Sequence, residues 1–521
     1  MSIMSFSLFY DEKKIDLKLK IIFCWTFPSS EVDNHNTPVR DWSLSVTERM
    51  IGREAEMRQL RACMAADNAQ LVLVAGRLRG GKTFLVDRFF NGRFDFRVTG
   101  CYGMPKSIQI RNFMNELNLQ WGRKNDVPDD WTDAFFLLRE YLDGLNKNEK
   151  HVIFFDEMPW MDTPRSSFLP AFEYFWNSWG ASQDNLVCIV CGSATAWLVD
   201  NIVENRGGLY NRLTLRLYIE PFSLHETEEY LKVNGFEWSR YTIVEAYMIM
   251  GGIPYYLSLL DNSLSYEANI DNMFFRRRAL LWDEFDHLYA TLFSNADQYI
   301  KVVEALSSKR SGLTRKEIAD TTGMPSNGVL TRIMENLVSS EFVRACPSFG
   351  HRKQDTVYRL SDYFTLFYFR FLKNSAGKDE HFWTNTIDNP SRRSWAGLTF
   401  EQVVMDHVRQ IKTRLGIGGV LTEVSSWSKK GDGENAGAQI DMLIDRRDNI
   451  INICEIKFSL DEFEIDREYE ETLRHKIECF RESTKTKKAL HLTMITTYGV
   501  KKNKYSDRVQ SQVRMDDLFA E

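Results

Sequence analysis

Leu71-Val72-Leu73-Val74-Ala75-Gly76-Arg77-Leu78-Arg79-Gly80-Gly81-Lys82-Thr83 is the stretch that decides the fold. Its first five residues form a continuous apolar run, the pattern of a parallel strand covered on both faces. Gly76 to Thr83 then fit G-x-x-x-x-G-K-[ST] in full, and a helical run from Phe84 to Phe90 follows. Glycines at Gly76, Gly80 and Gly81 let the backbone curl. Successive N–H groups from Gly76 through Arg77, Leu78 and Arg79 to Thr83 can then face a phosphate at the positive end of a helix. Lys82 is placed to reach β and γ phosphate oxygens, and Thr83 to hold Mg2+ through its hydroxyl.

Two further apolar runs extend the pattern. Val152-Ile153-Phe154-Phe155 ends in Asp156-Glu157. Asp156 at a strand end can enter the Mg2+ coordination sphere, directly or through water, and Glu157 can orient or deprotonate an attacking water. Leu186 to Cys191 leads into Gly192-Ser193-Ala194-Thr195, where a polar side chain such as Ser193 can sense a terminal phosphate; Thr195 as a plain helix N-cap is the alternative. Strands alternating with helical segments up to about residue 220 predict an α/β nucleotide-binding core. Cys188 and Cys191 sit within one strand, so their sulfurs point to opposite faces and read as structural rather than metal-binding.

The chain has 521 residues, a length that suggests about three or four domains. Hydrophobic residues at 43% and charged residues at 26% exclude a wholly disordered or fibrous protein. A formal net charge of −6 means that nucleic-acid contact must come from a local basic patch. Eight cysteines in this length make no disulfide framework. No apolar stretch approaches the roughly 18 to 20 residues that span a bilayer. The N-terminus, with Asp11, Glu12, Lys13 and Lys14, makes a weak signal peptide, so a cytoplasmic protein without a membrane anchor is expected. Residues 1–45 read as an extension or disordered lead, and Met50 is an alternative start.

After the core (46–221), residues 222–295 read as a helical lid interrupted by Gly251-Gly252-Ile253-Pro254. Residues 296–375 read as a winged helix: a helix from Ala296 to Ser308, a second from Thr314 capped with Glu317, a third from Ser326 to Ser339, then a strand pair around Gly350-His351-Arg352-Lys353. Ser326, Asn327, Thr331 and Arg332 would face a major groove, and His351, Arg352 and Lys353 would touch phosphates, so DNA is the expected partner. Winged helices also serve as protein-packing modules. Arg276-Arg277-Arg278 adds positive charge or solvates a helix.

At these residues the chain resembles AAA-type P-loop ATPases of the archaeal-ATPase-like group. The resemblance is carried by Ile51-Gly52-Arg53-Glu54, the two phosphate-site motifs, Gly192-Ser193, Leu209 to Thr214, and Gly251 to Pro254, over roughly residues 48–375. It implies ATP binding with Mg2+ and hydrolysis. It also implies that Arg212 or Arg206 acts as an arginine finger, within the chain or in a neighbouring copy of a homo-oligomer; a surface or structural arginine is the alternative for each.

Residues 390–521 contain Gln439 to Asp445 as a strand, Arg446 to Asn449 as a tight turn, and Ile450 to Phe458 as the returning strand. Asp441 and Glu455 can then be neighbours, while Glu455 and Lys457 share a face. Two carboxylates can bind Mg2+, and the lysine can polarise a water aimed at a phosphodiester. Glu401, on a helix from Phe400 to Leu415, can add a third oxygen ligand. The arrangement resembles the PD-(D/E)xK nuclease fold, with Ile440 where that pattern has proline; an ordinary charged hairpin, or a nuclease-like fold that does not cut, stays open. On the charged helix from Glu464 to Glu482, Tyr469 or Lys476 could support the carboxylates or simply face solvent. The expected whole is a P-loop parallel sheet with a helical lid, then a winged helix and an α/β nuclease-like domain. Its expected function is a Mg2+-dependent ATPase coupled to DNA binding and cleavage. The rivals are a STAND-like nucleotide-gated switch or scaffold, and an ATPase that remodels a protein client.

Overall fold

The apolar runs of the first half become the interior of a parallel sheet in the structure, a computed structural model. It describes residues 50–193, 195–203, 208–209, 211–309, 311–347, 349–350, 356–373, 378–431 and 436–521, with Thr195 and Ala196 as backbone alone. The expected lead over residues 1–45, Arg206, and the tip residues His351, Arg352 and Lys353 lie outside the described residues.

Five strands, β1 (Gln70–Gly76), β2 (Phe96–Thr99), β3 (His151–Asp156), β4 (Leu186–Gly192) and β5 (Leu215–Ile219), pair in parallel in the order β2-β3-β4-β1-β5. Every residue of β3 and β4 is buried, which is why their sequences run apolar without alternation. The helices Lys106–Trp121, Trp131–Asp143 and Phe168–Ser178 bring Phe113, Trp131, Phe135 and Phe172 against Phe96 and Phe155 of the sheet. Cys188 belongs to this core, whereas Cys191 lies near Asp156; both are free thiols.

The helical segment after β5 starts with Leu224–Val233, whose Ser223 and Glu226 form a reciprocal capping box, and continues with Arg240–Met250. Gly251 and Gly252, at φ 61° and 67°, turn the chain into Pro254–Leu257. A Cβ on Gly252 would stand 2.0 Å from Phe222 O, so this close approach requires glycine.

Residues 296–360 form the helix Ala296–Ser307, strand β6 (Leu313–Thr314), the helices Arg315–Thr322 and Gly328–Ser339, and strands β7 (Val343–Cys346) and β8 (Val357–Leu360). The strands make an antiparallel sheet in the order β6-β8-β7. Thr314 caps the second helix, and Glu317 returns the bond to its N–H at 2.8 Å. The third helix begins later than Ser326. Asn327 is its N-cap, its Oδ1 accepting from Val329 N at 3.0 Å and Leu330 N at 3.4 Å.

The last section adds the helix Pro390–Asp406, a short helix Val408–Arg414, and a five-stranded mixed sheet in the order β13-β12-β11-β10-β9. Its strands are β9 (Thr422–Lys429), β10 (Ala438–Arg446), β11 (Ile450–Lys457), β12 (Ala489–Thr496) and β13 (Ser511–Arg514). The helix expected from Phe400 to Leu415 is broken at His407 (φ −111°, ψ 32°). His407 is held there by both ring nitrogens: Nε2 accepts from Leu224 N at 3.1 Å, and Nδ1 bonds Val403 O at 2.7 Å. One hydrophobic core runs through all of this, from Phe222 to Phe519, and Phe367, Phe371, Trp383 and Trp395 pack edge-to-face across its middle. Among the described residues, no helix is long and apolar enough to cross a membrane.

Candidate functional site

At the carboxyl end of β1 the chain turns at Gly76 (φ 146°), where a Cβ would meet Ile219 O at 2.4 Å. Gly80 N closes on Arg77 O at 3.1 Å, and Gly81 (φ 87°) starts the helix Lys82–Phe89 without a side-chain cap. That helix end therefore offers backbone N–H groups and the positive end of its dipole to an anion. Lys82 is buried, and its Nζ donates to Gly76 O at 3.0 Å and to Arg77 O at 2.7 Å, so the ammonium is folded over the loop itself.

The end of β3 meets this loop. Thr83 Oγ1 donates to Asp156 at 3.0 Å and 3.2 Å. Asp156 is only 4% exposed; burial and the neighbouring Glu157 push its carboxyl up to about 6, against the Thr83 bond and Arg97, whose Nη2 lies 3.8 Å away. Glu157 sits at φ 46°, in the left-handed region, which turns it away from the strand direction. Its carboxylate accepts from Ser193 N at 3.0 Å and Ser193 Oγ at 2.5 Å. The structure thus brings Lys82, Thr83, Asp156, Glu157 and Ser193 together. Arg212 is exposed in the turn before β5, and among the described residues no hydrogen bond or ion pair ties it to the loop. The side chain of Thr195 lies outside the described residues.

The two loop arginines behave differently from the backbone they sit on. Arg77, 11% exposed, forms an ion pair with Asp362 and lies over the Phe342 ring at 5.1 Å. Burial alone would lower its pKa, but Asp362 outweighs that and holds the guanidinium firmly charged. Arg79 forms an ion pair with Glu284 and stacks over Tyr255 at 4.4 Å, while Tyr256 OH donates to the same Glu284 at 2.6 Å. Leu78 lines a small cleft with Arg77, Ser193, Ile253, Tyr256 and Phe342. Neither Asp362 nor Glu284 carries a local sequence signal; each is found only by its distant partner.

A second polar cluster lies between β10 and β11. These strands are antiparallel with Met442 opposite Cys454 as the last pair of the ladder; Asp441 and Glu455 each stand one residue beyond it, Asp441 within an irregularity of β10 against β9 between Ile440 and Leu443. Asp441 is 8% and Glu455 2% exposed. Glu455 Oε1 accepts from Tyr469 OH at 2.5 Å and faces Lys457 Nζ at 3.2 Å, while Oε2 accepts from Lys476 Nζ at 2.8 Å. Burial would raise the Glu455 pKa; Lys476 and Lys457 outweigh it and hold it below the usual carboxylate value. Asp441 Oδ1 accepts from Gln439 Nε2 at 2.9 Å. Glu401 is half-buried on the helix Pro390–Asp406, which packs on β11. Among the described residues no three acidic, histidine or cysteine side chains gather as a metal cluster, so Glu401 does not complete one with Asp441 and Glu455 here.

An uncharacterized protein of Methanocaldococcus jannaschii is 22% identical over 385 residues, 73% of this chain and 82% of that protein. Among solved structures, a Walker-type ATPase of Pyrococcus abyssi aligns with a TM-score of 0.45 and 17% identity, over 62% of this chain and 96% of its own. The ORC2 protein of Aeropyrum pernix aligns with a TM-score of 0.41 and 13% identity, over 69% and 99%. With the loop, the β3 carboxylates and the five-stranded parallel sheet in place, residues 50–260 match the model of a family described as an ATPase domain predominantly from Archaea.

Proposed function

We propose that the chain binds ATP with Mg2+ at Gly76–Thr83 and hydrolyses it. The observation that carries this is the Thr83 hydroxyl held on the buried Asp156 carboxylate beside the uncapped helix end. A neutral and an anionic oxygen side by side are the hard donor set that Mg2+ takes, and these two residues would hold it. Mg2+ there supplies positive charge to phosphate oxygens. The backbone from Gly76 to Gly81 binds and orients the phosphates, and Lys82 exchanges its two carbonyls for phosphate oxygens. Glu157, released from Ser193, takes the proton of a water; the Ser193 bonds hold that carboxylate aside until then. Arg212, exposed, is the arginine available to a second copy. Turnover and binding of a fluorescent ATP analogue test this. Lys82→Ala is expected to lose binding. Glu157→Gln is expected to keep binding and lose turnover by about 100-fold or more. Unchanged turnover in Glu157→Gln removes the base assignment, and unchanged binding in Lys82→Ala removes the site.

The same reading takes residues 296–375 as a winged helix and residues 390–521 as a nuclease-like domain acting on DNA, with Asp441 and Glu455 holding a divalent cation and Lys457 polarising a water. The register of β10 and β11 supports the pairing. Specific contacts favour a second reading, a nucleotide-gated switch that does not cut: Arg77 and Arg79 tie the phosphate loop to Asp362 and Glu284, and the helix Gly328–Ser339 packs on the segment Thr195–Leu198 of the ATPase domain. Incubation with single- and double-stranded DNA and Mg2+ or Mn2+, with Glu455→Ala beside the natural chain, separates them. Cleavage that vanishes in Glu455→Ala supports the nuclease; ATP hydrolysis without cleavage supports the switch.

A further inference from the structure

Glu455 is the most constrained carboxylate of the second cluster. It is 2% exposed, and each of its oxygens already has a donor. The donors differ in kind. Oε1 takes the Tyr469 hydroxyl and faces Lys457, which comes from the same strand two residues on. Oε2 takes Lys476, which comes from the helix Arg467–Thr484. Tyr469 and Lys476 are seven residues apart, two helical turns, so one helix face delivers both groups to one carboxylate.

The charges of the cluster then cancel. Asp441 and Glu455 are offset by Lys457 and Lys476, whereas a carboxylate pair served by one lysine would keep a net negative charge. A divalent cation needs several oxygen ligands and a surplus of negative charge to repay its dehydration. Tyr469 and Lys457 both engage Oε1, whereas among the described residues Oε2 takes Lys476 alone, so a single displacement frees Oε2 for a cation. Oε2 is the atom that Lys476 occupies. Lys476 is 19% exposed on a flexible four-carbon stem, so its ammonium has solvent to retreat to.

We propose that Lys476 is an internal competitor for the divalent cation at Asp441 and Glu455: it holds Glu455 Oε2 and must release it for the cation to bind. The inference rests on reading this cluster as a cation site, and it assigns Lys476 the role of a positioning and affinity-setting residue. It makes occupancy of the site a competition between a tethered ammonium and a free ion, which weakens the apparent cation affinity by the fraction of time that Lys476 leaves Oε2 free.

The test is Mn2+ titration of the full chain, with free Mn2+ followed by electron paramagnetic resonance and no nucleotide present. Glu455→Gln defines the binding that belongs to this cluster, and whatever survives in it is subtracted. Lys476→Met removes the ammonium and keeps the stem; loss of one charge-assisted bond to Oε2 is expected to tighten Mn2+ by about tenfold. Lys476→Arg keeps a cation on Oε2 and is expected to bind as the natural chain does. In the metal-free protein Lys476→Met should melt lower than the natural chain, and Mn2+ should close that gap. Unchanged or weaker Mn2+ binding in a folded Lys476→Met overturns the proposal. So does tightening in Lys476→Arg equal to that in Lys476→Met, which also decides the matter if Lys476→Met fails to fold. The nuclease reading fails separately: tighter Mn2+ with no DNA cleavage sinks cleavage and leaves the competitor, cleavage with unchanged Mn2+ affinity does the reverse, and no Mn2+ at the cluster in any protein overturns both.

Discussion

Asp362→Asn is the substitution that most directly weighs the tie between the phosphate loop and the rest of the chain. Asp362 is 4% exposed and uses its oxygens for different tasks: Oδ1 meets Arg77, and Oδ2 accepts from Thr365 N at 2.7 Å, capping the helix Tyr363–Phe367. Asparagine keeps an acceptor for Thr365 N, so the cap survives and the change isolates the ion pair. Removing one partner of a buried pair costs about 3–5 kcal/mol, because the other charge is left without compensation. Here the lower end applies. Arg77 keeps the Phe342 face at 5.1 Å, and Glu341 also acts on its charge, so about 3 kcal/mol is expected. Urea unfolding followed by tryptophan fluorescence reads this for Asp362→Asn, Arg77→Met and the double variant. Once Arg77 is gone, Asp362→Asn should cost little, giving a coupling of about 2 kcal/mol in the cycle. A cost below about 0.5 kcal/mol for Asp362→Asn, or additive single effects, would refute the claim that this pair fastens the loop.

Two further outcomes follow from single residues. His407 is buried with both ring nitrogens bonded, and burial lowers its pKa from the ordinary 6.5. Its contribution to stability is therefore present in full above pH 6.5 and lost as pH falls below it, since the unfolded chain takes up the proton first. His407→Gln should flatten the slope of unfolding free energy between pH 7 and pH 5, by about one proton at most; an unchanged slope would show that the imidazole is not held neutral. Gly76→Ala places a Cβ 2.4 Å from the backbone oxygen of Ile219 at a φ of 146°, so the loop must open and binding of the fluorescent ATP analogue should fall by at least about tenfold while the melting temperature moves by only a few degrees; undiminished binding would mean that the loop tolerates a different path.

Much of the nucleotide half was legible because its signals are local. The run Leu71 to Ala75 is apolar because both faces of β1 are covered, and the glycines after it mark a backbone that side chains would obstruct. The Asp156-Glu157 pair is legible for the same reason, as two acids at the end of four apolar residues. What the sequence hid is non-local. Arg77 and Arg79 occupy positions where the loop pattern specifies nothing, and their partners Asp362 and Glu284 stand 285 and 205 residues away. The break at His407 was hidden because Phe400 to Leu415 is periodic enough to read as one helix; only Leu224 N, arriving from the far side of the core, explains why the chain kinks there. Strands β9 and β13 escaped notice because the exposed faces of edge strands dilute their apolar pattern. Asn327 carries a signal of a different kind. A polar residue before an amphipathic helix serves as a groove-facing donor or as an N-cap, and its Oδ1 here accepts from two N–H groups as the cap.

The loop arginines tie the loop after β1 to parts of the chain far beyond the five-stranded sheet. A phosphate loop grips its ligand with backbone N–H groups, so the side chains at its variable positions are free for other contacts. Here both are cations, and each pairs with a buried acid from outside the five-stranded sheet. Asp362 leads directly into Tyr363, whose hydroxyl donates to Asp406 Oδ2 at the end of the helix Pro390–Asp406, while Arg344 of β7 pairs with the other oxygen. His407 follows and accepts from the first residue of the helix Leu224–Val233. The helix Pro390–Asp406 packs on β11, the strand that carries Glu455, and its Phe400 lies 5.0 Å from Phe458 just beyond that strand. These links are specific in partner, and those with a buried acid, Asp362 and Glu284, cannot slide to new positions without leaving a charge uncompensated. A change in the loop large enough to displace Arg77 must therefore either break one such link outright or carry its partner with it.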